Sequence, residues 1–568
     1  MWPYVALCGP RWTQLLTRKT LAVFFALFVV GTSFGQVRFV DPASPGPIHD
    51  GLSWGTAFSS LSDALDQANA YNLGPNPKLL LAQGTYKPST TSPLNVMPGG
   101  SVGQPWHHTF FVKVPCEIYG GYVGVAGGAG ASTTPGEPDG SPYLTVLSGE
   151  IGASGPVDNC AHVLYVGDPN DQFAWRYSKL LLRDLRIVDG HARRELAQVP
   201  WEHENGGGIY SHGAVVEFEA HVFVQDCFAD NDGGGIYILD DPSFTHVLNS
   251  GGFRSALSRI EGNWAGRYGG GLYHGSAPFR LWGSDSLVVD SATAIFNTVF
   301  RKNQAMKGGG IYVIGGFRRD GEDIIFQKPG FLVSNSLFFE NSALDAGGGA
   351  FIADDVSGAF LPDDYDYALH WVNNTFARNS ATLTGGGMEL AINPNVVISN
   401  SILHWNTAGP SSEACDLYYP DNTFSLPPTG LRILNCNIGG GCNSIKWWTN
   451  VQGVIGDDPQ FVDMLAGNFQ LKWSSPCLDV GLDSQLPFDD MDVDEDDNTV
   501  PGEILSLDLK RFTPFGAMEN WREIVYLTGP NSAVYGTITG SDAGGDRPGA
   551  IVDLGCYEFF NIGQASGF

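Results

Sequence analysis

Apolar and polar residues alternate over a few positions and then stop at asparagine in four similar phrases. They are Asn297-Thr298-Val299-Phe300-Arg301-Lys302-Asn303, Asn335-Ser336-Leu337-Phe338-Phe339-Glu340-Asn341, Asn373-Asn374-Thr375-Phe376-Ala377-Arg378-Asn379 and Asn400-Ser401-Ile402-Leu403-His404-Trp405-Asn406. Alternation over so short a run, closed by a turn residue, predicts strands and not helices. A second phrase keeps step with the first: three glycines and an apolar residue, at Gly206 to Ile209, Gly233 to Ile236, Gly269 to Leu272, Gly308 to Ile311, Gly347 to Ala350 and Gly385 to Met388. The first glycines stand 27, 36, 39, 39 and 38 residues apart. A return at such a period marks stacked units, each of them one turn of a solenoid.

Asparagine and glycine both tolerate the left-handed backbone of a sharp corner. Identical asparagines at one corner of successive turns can also bond one another in a ladder. Short strands, sharp corners and an interior shared between neighbours together predict a parallel β-helix. The shortest interval, Asn373 to Asn400, is 27 residues and sets the coil. The longer intervals carry insertions, placed at Ile314 to Lys328 and Asp354 to Tyr367. Two columns are expected: an interior one of Ile209, Ile236, Leu272, Ile311, Ala350 and Met388, and a corner one of Asn303, Asn341, Asn379 and Asn406.

Upstream of the repeats, Val37 to Asp41 and Leu79 to Ala82 read as strands. Leu61, Ala64, Leu65 and Ala68 fall at helical spacing, so a short amphipathic helix is expected there. It would cap the first coil, whose apolar end otherwise meets water. The start of the chain sets Arg11, Arg18 and Lys19 before the apolar run Leu21 to Val30. That is the layout of a secretory signal peptide, with cleavage expected after Gly35; a retained N-terminal anchor is the alternative. The ten-residue apolar run is too short to span a bilayer, so no integral span is expected in the mature chain.

The sequence holds 31 Lys and Arg against 60 Asp and Glu, a net charge of −29. Removing the three basic residues of the leader takes it to −32. Such an acidic balance excludes nucleic acid as a partner, because that binding draws on a basic surface. It also argues against a basic groove built for polyuronates, and suits a soluble exported protein.

Certain phrases carry a resemblance. Asp50-Gly51-Leu52-Ser53-Trp54 through Leu61 and Ala64-Leu65, then Ala82-Gln83-Gly84-Thr85-Tyr86-Lys87-Pro88, resemble the opening of bacterial surface proteins with a right-handed parallel β-helix of the pectate-lyase-like kind. The glycine-triplet and Phe-x-x-Asn phrases are similar to the repeats of chlamydial polymorphic outer-membrane proteins. Asp458-Pro459-Gln460-Phe461-Val462-Asp463, Gly467-Asn468-Phe469-Gln470-Leu471, Ser475-Pro476-Cys477-Leu478-Asp479 and Val552-Asp553-Leu554-Gly555-Cys556-Tyr557-Glu558 resemble the choice-of-anchor Q domain. The resemblances imply an all-β protein with a right-handed β-helix, an N-terminal capping helix and a β-rich C-terminal region. The corresponding division is signal peptide 1–35, β-helix 36–450, anchor-Q-like region 451–560 and tail 561–568. They also imply secretion or display at the cell surface, a structural or adhesive role, and an extracellular glycan or surface ligand. No barrel pattern or sorting signal is read in residues 559–568, so autotransport from this polypeptide is not expected.

Chemistry is sparse. The Asn-Thr-Asp, Gly-His-Gly and Arg-Ile-Lys segments of pectin hydrolases on this fold are missing, which leaves a lyase or hydrolase as the alternative function and no catalytic residue assigned. Ser211-His212-Gly213 and Tyr273-His274-Gly275 place histidines after two triplet strands, read as solvent-side corner residues. Glu202, His203 and Glu204 with Arg254 or Arg267 could meet on one face. The acidic run from Asp489 to Asn498 is the metal candidate. Calcium takes six to eight oxygens, and a register from Asp492 offers Asp492, Asp494, Asp496, the Asn498 carbonyl and Glu503. A solvated acidic loop is the alternative, since Asp497 stands where the turn wants glycine. Eight of the nine cysteines follow the leader; Cys227 is expected in the core. Cysteine stands at Cys477 and Cys556 where the anchor-Q pattern often has alanine, and a disulfide between them or two separate buried thiols are both open.

Overall fold

The computed structural model describes residues 36–481 apart from 102–103, 135–143, 153–154, 157, 168–178, 194–200, 240–251, 276–292, 316, 321–322, 327–330, 355–368, 391–395, 410–415, 420–430, 440–450, 473 and 479. The proposed signal peptide, the calcium set Asp492, Asp494, Asp496, Asn498 and Glu503, and Cys556 all lie outside the described residues.

The chain winds into a right-handed parallel β-helix of about eight turns. Each full coil runs through a strand such as Phe331–Ser334, a bend, a second strand such as Leu337–Phe339, a corner strand such as Ser342–Ala346, and a glycine-triplet strand such as Ala350–Asp354. Corresponding strands pair in parallel from coil to coil, with Leu337 opposite Thr375 and Ala350 opposite Met388. The expected interior column is present in register, Ile209 to Ile236 to Leu272 to Ile311 to Ala350 to Met388. It extends back to Leu164 and Phe110 and forward to Leu417, and every member is fully buried. Beside it Phe300, Phe338 and Phe376 stack with centroids 4.9 and 4.2 Å apart.

Polar corners hold the coils in register. The first glycine of each triplet is left-handed, with φ of 60 to 68° from Gly206 to Gly385. The opening asparagines of the strand phrases, Asn297, Asn335, Asn373 and Asn400, bend left-handed too, at φ 44 to 57°. The closing asparagines form the expected ladder. Asn303 Nδ2 donates to Asn341 Oδ1 at 3.0 Å, Asn341 to Asn379 at 2.9 Å and Asn379 to Asn406 at 2.9 Å. Asn263 extends it at one end, and Asp416 accepts from Asn406 at 2.8 Å at the other.

Helix Leu61–Asn69 starts at Ser60, whose hydroxyl accepts from Asp63 N, and buries Leu61, Ala64, Leu65 and Ala68. Asn69 Nδ2 donates to Phe111 O at 2.7 Å, tying the helix to the coil that it covers. Of the two insertions, 314–328 contains the antiparallel hairpin Phe317–Asp320 with Asp323–Phe326, and 354–367 lies outside the described residues beyond Asp354. Near the C-terminal end of the described chain, Phe461–Asp463 and Asn468–Leu471 form an antiparallel hairpin. It lies along a flank, packing Phe461, Phe469, Leu471 and Cys477 on Val299, Leu337, Phe339, Ala377 and Ile402. No helix among the described residues is long and apolar enough to cross a membrane.

Candidate functional site

In a strand, the residue after an interior one must face outward. The aromatic residue after successive interior ones therefore builds an outer column, Tyr165, Tyr210, Tyr237, Tyr273, Tyr312 and Phe351, with Glu389 at the next place. Their rings stack at 4.8 to 5.5 Å, and none is more than 8% exposed. The outer column is a satellite core, and its ring faces are spent on one another.

At its N-terminal end the column meets a cluster of imidazoles drawn from three separate stretches. His107 comes from an excursion between two strands, His162 precedes strand Leu164–Val166, and His203 sits in the short turn Trp201–Glu204. Ring centroids lie 5.2 Å apart for His107 and His203 and 6.4 Å for His162 and His203. His162 packs on Tyr210 at 5.1 Å. Backbone groups fix the rings: His162 Nδ1 donates to Gly206 O at 2.9 Å, and His107 Nδ1 accepts from Ser101 N at 2.7 Å. Burial holds His162 down to about 3 and His203 to about 4, each also opposed by the charge of neighbouring histidines. Both are neutral at pH 7, and the Nε2 atoms of both are buried without a protein partner. Among the described residues no group of three or more His, Cys, Asp or Glu is placed to hold a metal ion.

Two carboxyls flank the same column. Burial raises Asp232 to about 6, against the pull of Arg267, and Glu389 to about 7, against the hydroxyl of Thr384 and the charge of Lys307. Asp232 and Glu389 belong to coils four steps apart, since Ile236 reaches Met388 through Leu272, Ile311 and Ala350. At about 4.8 Å a step that is roughly 19 Å. Glycoside hydrolysis needs its two carboxyls within about 9.5 Å, so the two do not form such a pair.

A third feature lies on another flank. Strands Lys179–Val188 and Val215–Gln225 both run through the bend, with Asp184 at φ 54° and His221 at φ 50°. His221 Nδ1 is 2.9 Å from Asp184 Oδ1, whose other oxygen takes Arg183 Nε at 3.2 Å. Asp184 is buried and His221 one-third exposed, so the aspartate fixes the ring and leaves its far nitrogen toward solvent. Sequence reasoning missed this dyad, because its members are 37 residues apart and neither lies in a repeat phrase.

Of the charged residues that could meet on one face, His203 belongs to the imidazole cluster. Arg254 projects from another sheet, opposite Glu217; Arg267 lies beside Asp232; the Glu204 carboxylate takes Asn231 Nδ2 at 2.5 Å. The two corner histidines are not equivalent either. His274 stands opposite Ile238 and is fully buried, with Nε2 2.7 Å from Thr293 Oγ1, so the solvent-side placement is corrected for it. His212 stands opposite Leu239, one place along and therefore on the other side of the strand. Among the described residues no disulfide forms: Cys116, Cys160, Cys227, Cys436 and Cys477 are buried thiols, and Cys227 is core as expected. Cys477 Sγ accepts from Asn437 Nδ2 at 3.0 Å.

Neither the family models nor the curated proteins searched contain a match to the sequence, so the anchor-Q and polymorphic outer-membrane resemblances rest on the residues quoted for them. Among solved structures the chain is similar to the mannuronan C-5 epimerase AlgE4 A-module of Azotobacter vinelandii, at 10% identity over 69% of this chain and 99% of that one, with a TM-score of 0.23. It is also similar to Escherichia coli ybhc, at 11% identity over 83% and 85%, with a TM-score of 0.20. At these values neither neighbour says what this chain does.

Proposed function

We propose that the chain is an exported β-helix with a structural or adhesive role, secreted or displayed at the cell surface, whose flanks meet extracellular glycans or other surfaces. The observation that supports it most is the use to which repeated side chains are put. Interior aliphatics, corner asparagines and outer tyrosines all stack along the axis, which makes a stiff rod and leaves its aromatics unavailable as an open catalytic groove. The family resemblances point the same way. Within the same proposal, Asp492, Asp494, Asp496, Asn498 and Glu503 hold calcium, and residues 451–560 form the anchor-Q-like region.

The Asp184–His221 dyad favours a second reading, a polysaccharide lyase or hydrolase acting on that flank. A His held through Nδ1 by a buried carboxylate has the arrangement of a general base. A panel of neutral and acidic glycans decides between them. Retention on immobilised glycan, with no rise in ultraviolet absorbance or reducing ends, is the expected outcome. Product release that disappears in His221→Ala would replace the adhesive reading with the enzymatic one.

A further inference from the structure

One corner of the solenoid gathers a primary amine, a carboxylate and a second, buried carboxyl from three successive coils. Strand Gln304–Lys307 has four residues and its neighbour Ser342–Ala346 has five, and the register slips between Ala305 and Lys307. An extra residue of this kind is a bulge, which re-aims a side chain. Lys307 therefore stands opposite Ala346, and Asp345 turns to meet it, with Lys307 Nζ 3.5 Å from Asp345 Oδ2. The ammonium also lies over the face of Phe351, 4.8 Å from the ring centroid. Ala346 and Phe351 both belong to the buried outer cluster, so the lysine runs over apolar ground. The next coil supplies Glu389, which stands opposite Phe351 and is 9% exposed. Thr384, the residue after Ala346 on the corner column, donates its hydroxyl to Glu389 Oε2.

We propose that Lys307 and Asp345 condense with one another, forming an amide between Nζ and Cγ that staples two coils covalently, with Glu389 as the carrier of the proton. Glu389 as carboxylate takes one proton from the Lys307 ammonium, and the freed amine forms the N–C bond to Asp345 Cγ. Glu389 then returns that proton to an Asp345 oxygen, which also receives the second proton of the nitrogen. The C–O bond breaks with its electron pair on that oxygen, and water leaves. One ammonium and one carboxylate thus give one amide and one water, with no oxidant or co-reactant. Held side by side, the two groups react as if in a single molecule, and Nζ is one side-chain torsion away from the roughly 3–3.5 Å that attack requires. Glu389 suits its role, because burial raises its carboxyl to about 7, where it can both take and give a proton at neutral pH. The charges of Lys307 and Asp345 both act on it.

Two other lysines meet carboxylates across neighbouring coils and serve as internal controls. Lys78 Nζ is 2.8 Å from Glu117 Oε2, and Lys179 Nζ is 2.6 Å from Glu217 Oε2. Both pairs are closer than that of Lys307 and Asp345. The place after Glu117 is taken by Leu181, however, and the place after Glu217 by Arg254. Leucine carries no proton and arginine never gives one up, so neither can do what Glu389 does. These two pairs are expected to stay ionic.

Mass spectrometry of the full chain reads the bond directly. Denatured and digested protein is expected to yield a branched peptide that joins Lys307 to Asp345 and is one water lighter than its two parts, while Lys78 and Lys179 are recovered unmodified. Lys307→Arg keeps the positive charge beside Asp345 and should release both peptides at full mass. Glu389→Gln keeps an acceptor for Thr384 and is expected to slow branching, followed from the time of synthesis, by roughly a hundredfold or more. Circular dichroism checks that each variant is folded, and the wild-type result stands even if one of them is not. Both wild-type peptides at full mass, a lost water confined to Asp345 without a branch, or branching as fast in folded Glu389→Gln would each overturn the proposal.

Discussion

Asn341→Ala is expected to destabilise the solenoid by roughly 4 kcal/mol or more, the low end of the sum for four buried partner atoms that each lose a bond at 1–3 kcal/mol. The side chain is fully buried and all of its hydrogen-bonding capacity is used. Its Nδ2 donates to Phe300 O at 2.8 Å and Asn379 Oδ1 at 2.9 Å; its Oδ1 accepts from Asn303 N and Asn303 Nδ2, both at 3.0 Å. Alanine removes all four bonds, and the interior supplies no water to replace them. Asn341→Asp should be nearly as damaging, since it keeps the acceptor and loses both donors. The ladder shows where an aspartate does fit: Asp416 closes the column, where its Oδ1 need only accept, from Asn406 N at 2.9 Å and Nδ2 at 2.8 Å. Even there burial lifts its carboxyl to about 6. Urea unfolding checks the prediction, with exposed Asn72→Ala, whose Nδ2 bonds only Gln67, as the control that moves little.

Gly309→Ala is the second large effect, expected at about 3 kcal/mol or more, the upper end of what overpacking costs. A Cβ on Gly309 would stand 2.4 Å from Ser342 O and 2.5 Å from Gly348 O. Both are backbone atoms of the next coil, and both coils are held by hydrogen bonds, so neither can retreat as a flexible side chain would. The same clash recurs at the middle glycine of the preceding and following triplets, Gly270 and Gly348. The middle glycine is therefore demanded by close approach and the first by its left-handed backbone. Gly130→Ala, with nothing within 4 Å of its Cβ, should be close to neutral in the same unfolding assay.

These two positions also show what was legible in the sequence. Glycine triplets and closing asparagines recur because every coil presents the same corner to the next, so their spacing alone foretold a column. The capping helix was legible for a different reason, the 3.6-residue spacing of Leu61, Ala64, Leu65 and Ala68. What repeated side chains do on the outer face was readable in principle from the tyrosine following Ile209, Ile236 and Ile311, since alternation sends it outward. His274 was misplaced because Ser211-His212-Gly213 and Tyr273-His274-Gly275 look alike in one dimension, yet sit one register apart, and one residue is the difference between core and flank. The His107, His162 and His203 cluster could not be found by spacing, because excursions of unequal length bring its members together.

The claim that each repeat is one coil, stacked in register, is tested most directly by paired cysteines on the half-buried corner strands. Gln304 stands opposite Ser342, and Ser342 opposite Ser380, on three successive coils. Neighbouring coils lie about 4.8 Å apart, inside the range of 4.4–6.8 Å between Cα atoms that a disulfide accepts, and alternate coils at about 9.6 Å lie outside it. Oxidation of the folded protein, read by peptide mapping, should therefore join Gln304→Cys to Ser342→Cys and Ser342→Cys to Ser380→Cys, and leave Gln304→Cys with Ser380→Cys unjoined. A cross-link between positions 304 and 380, or none between 304 and 342, would contradict the coil assignment on which the rest depends.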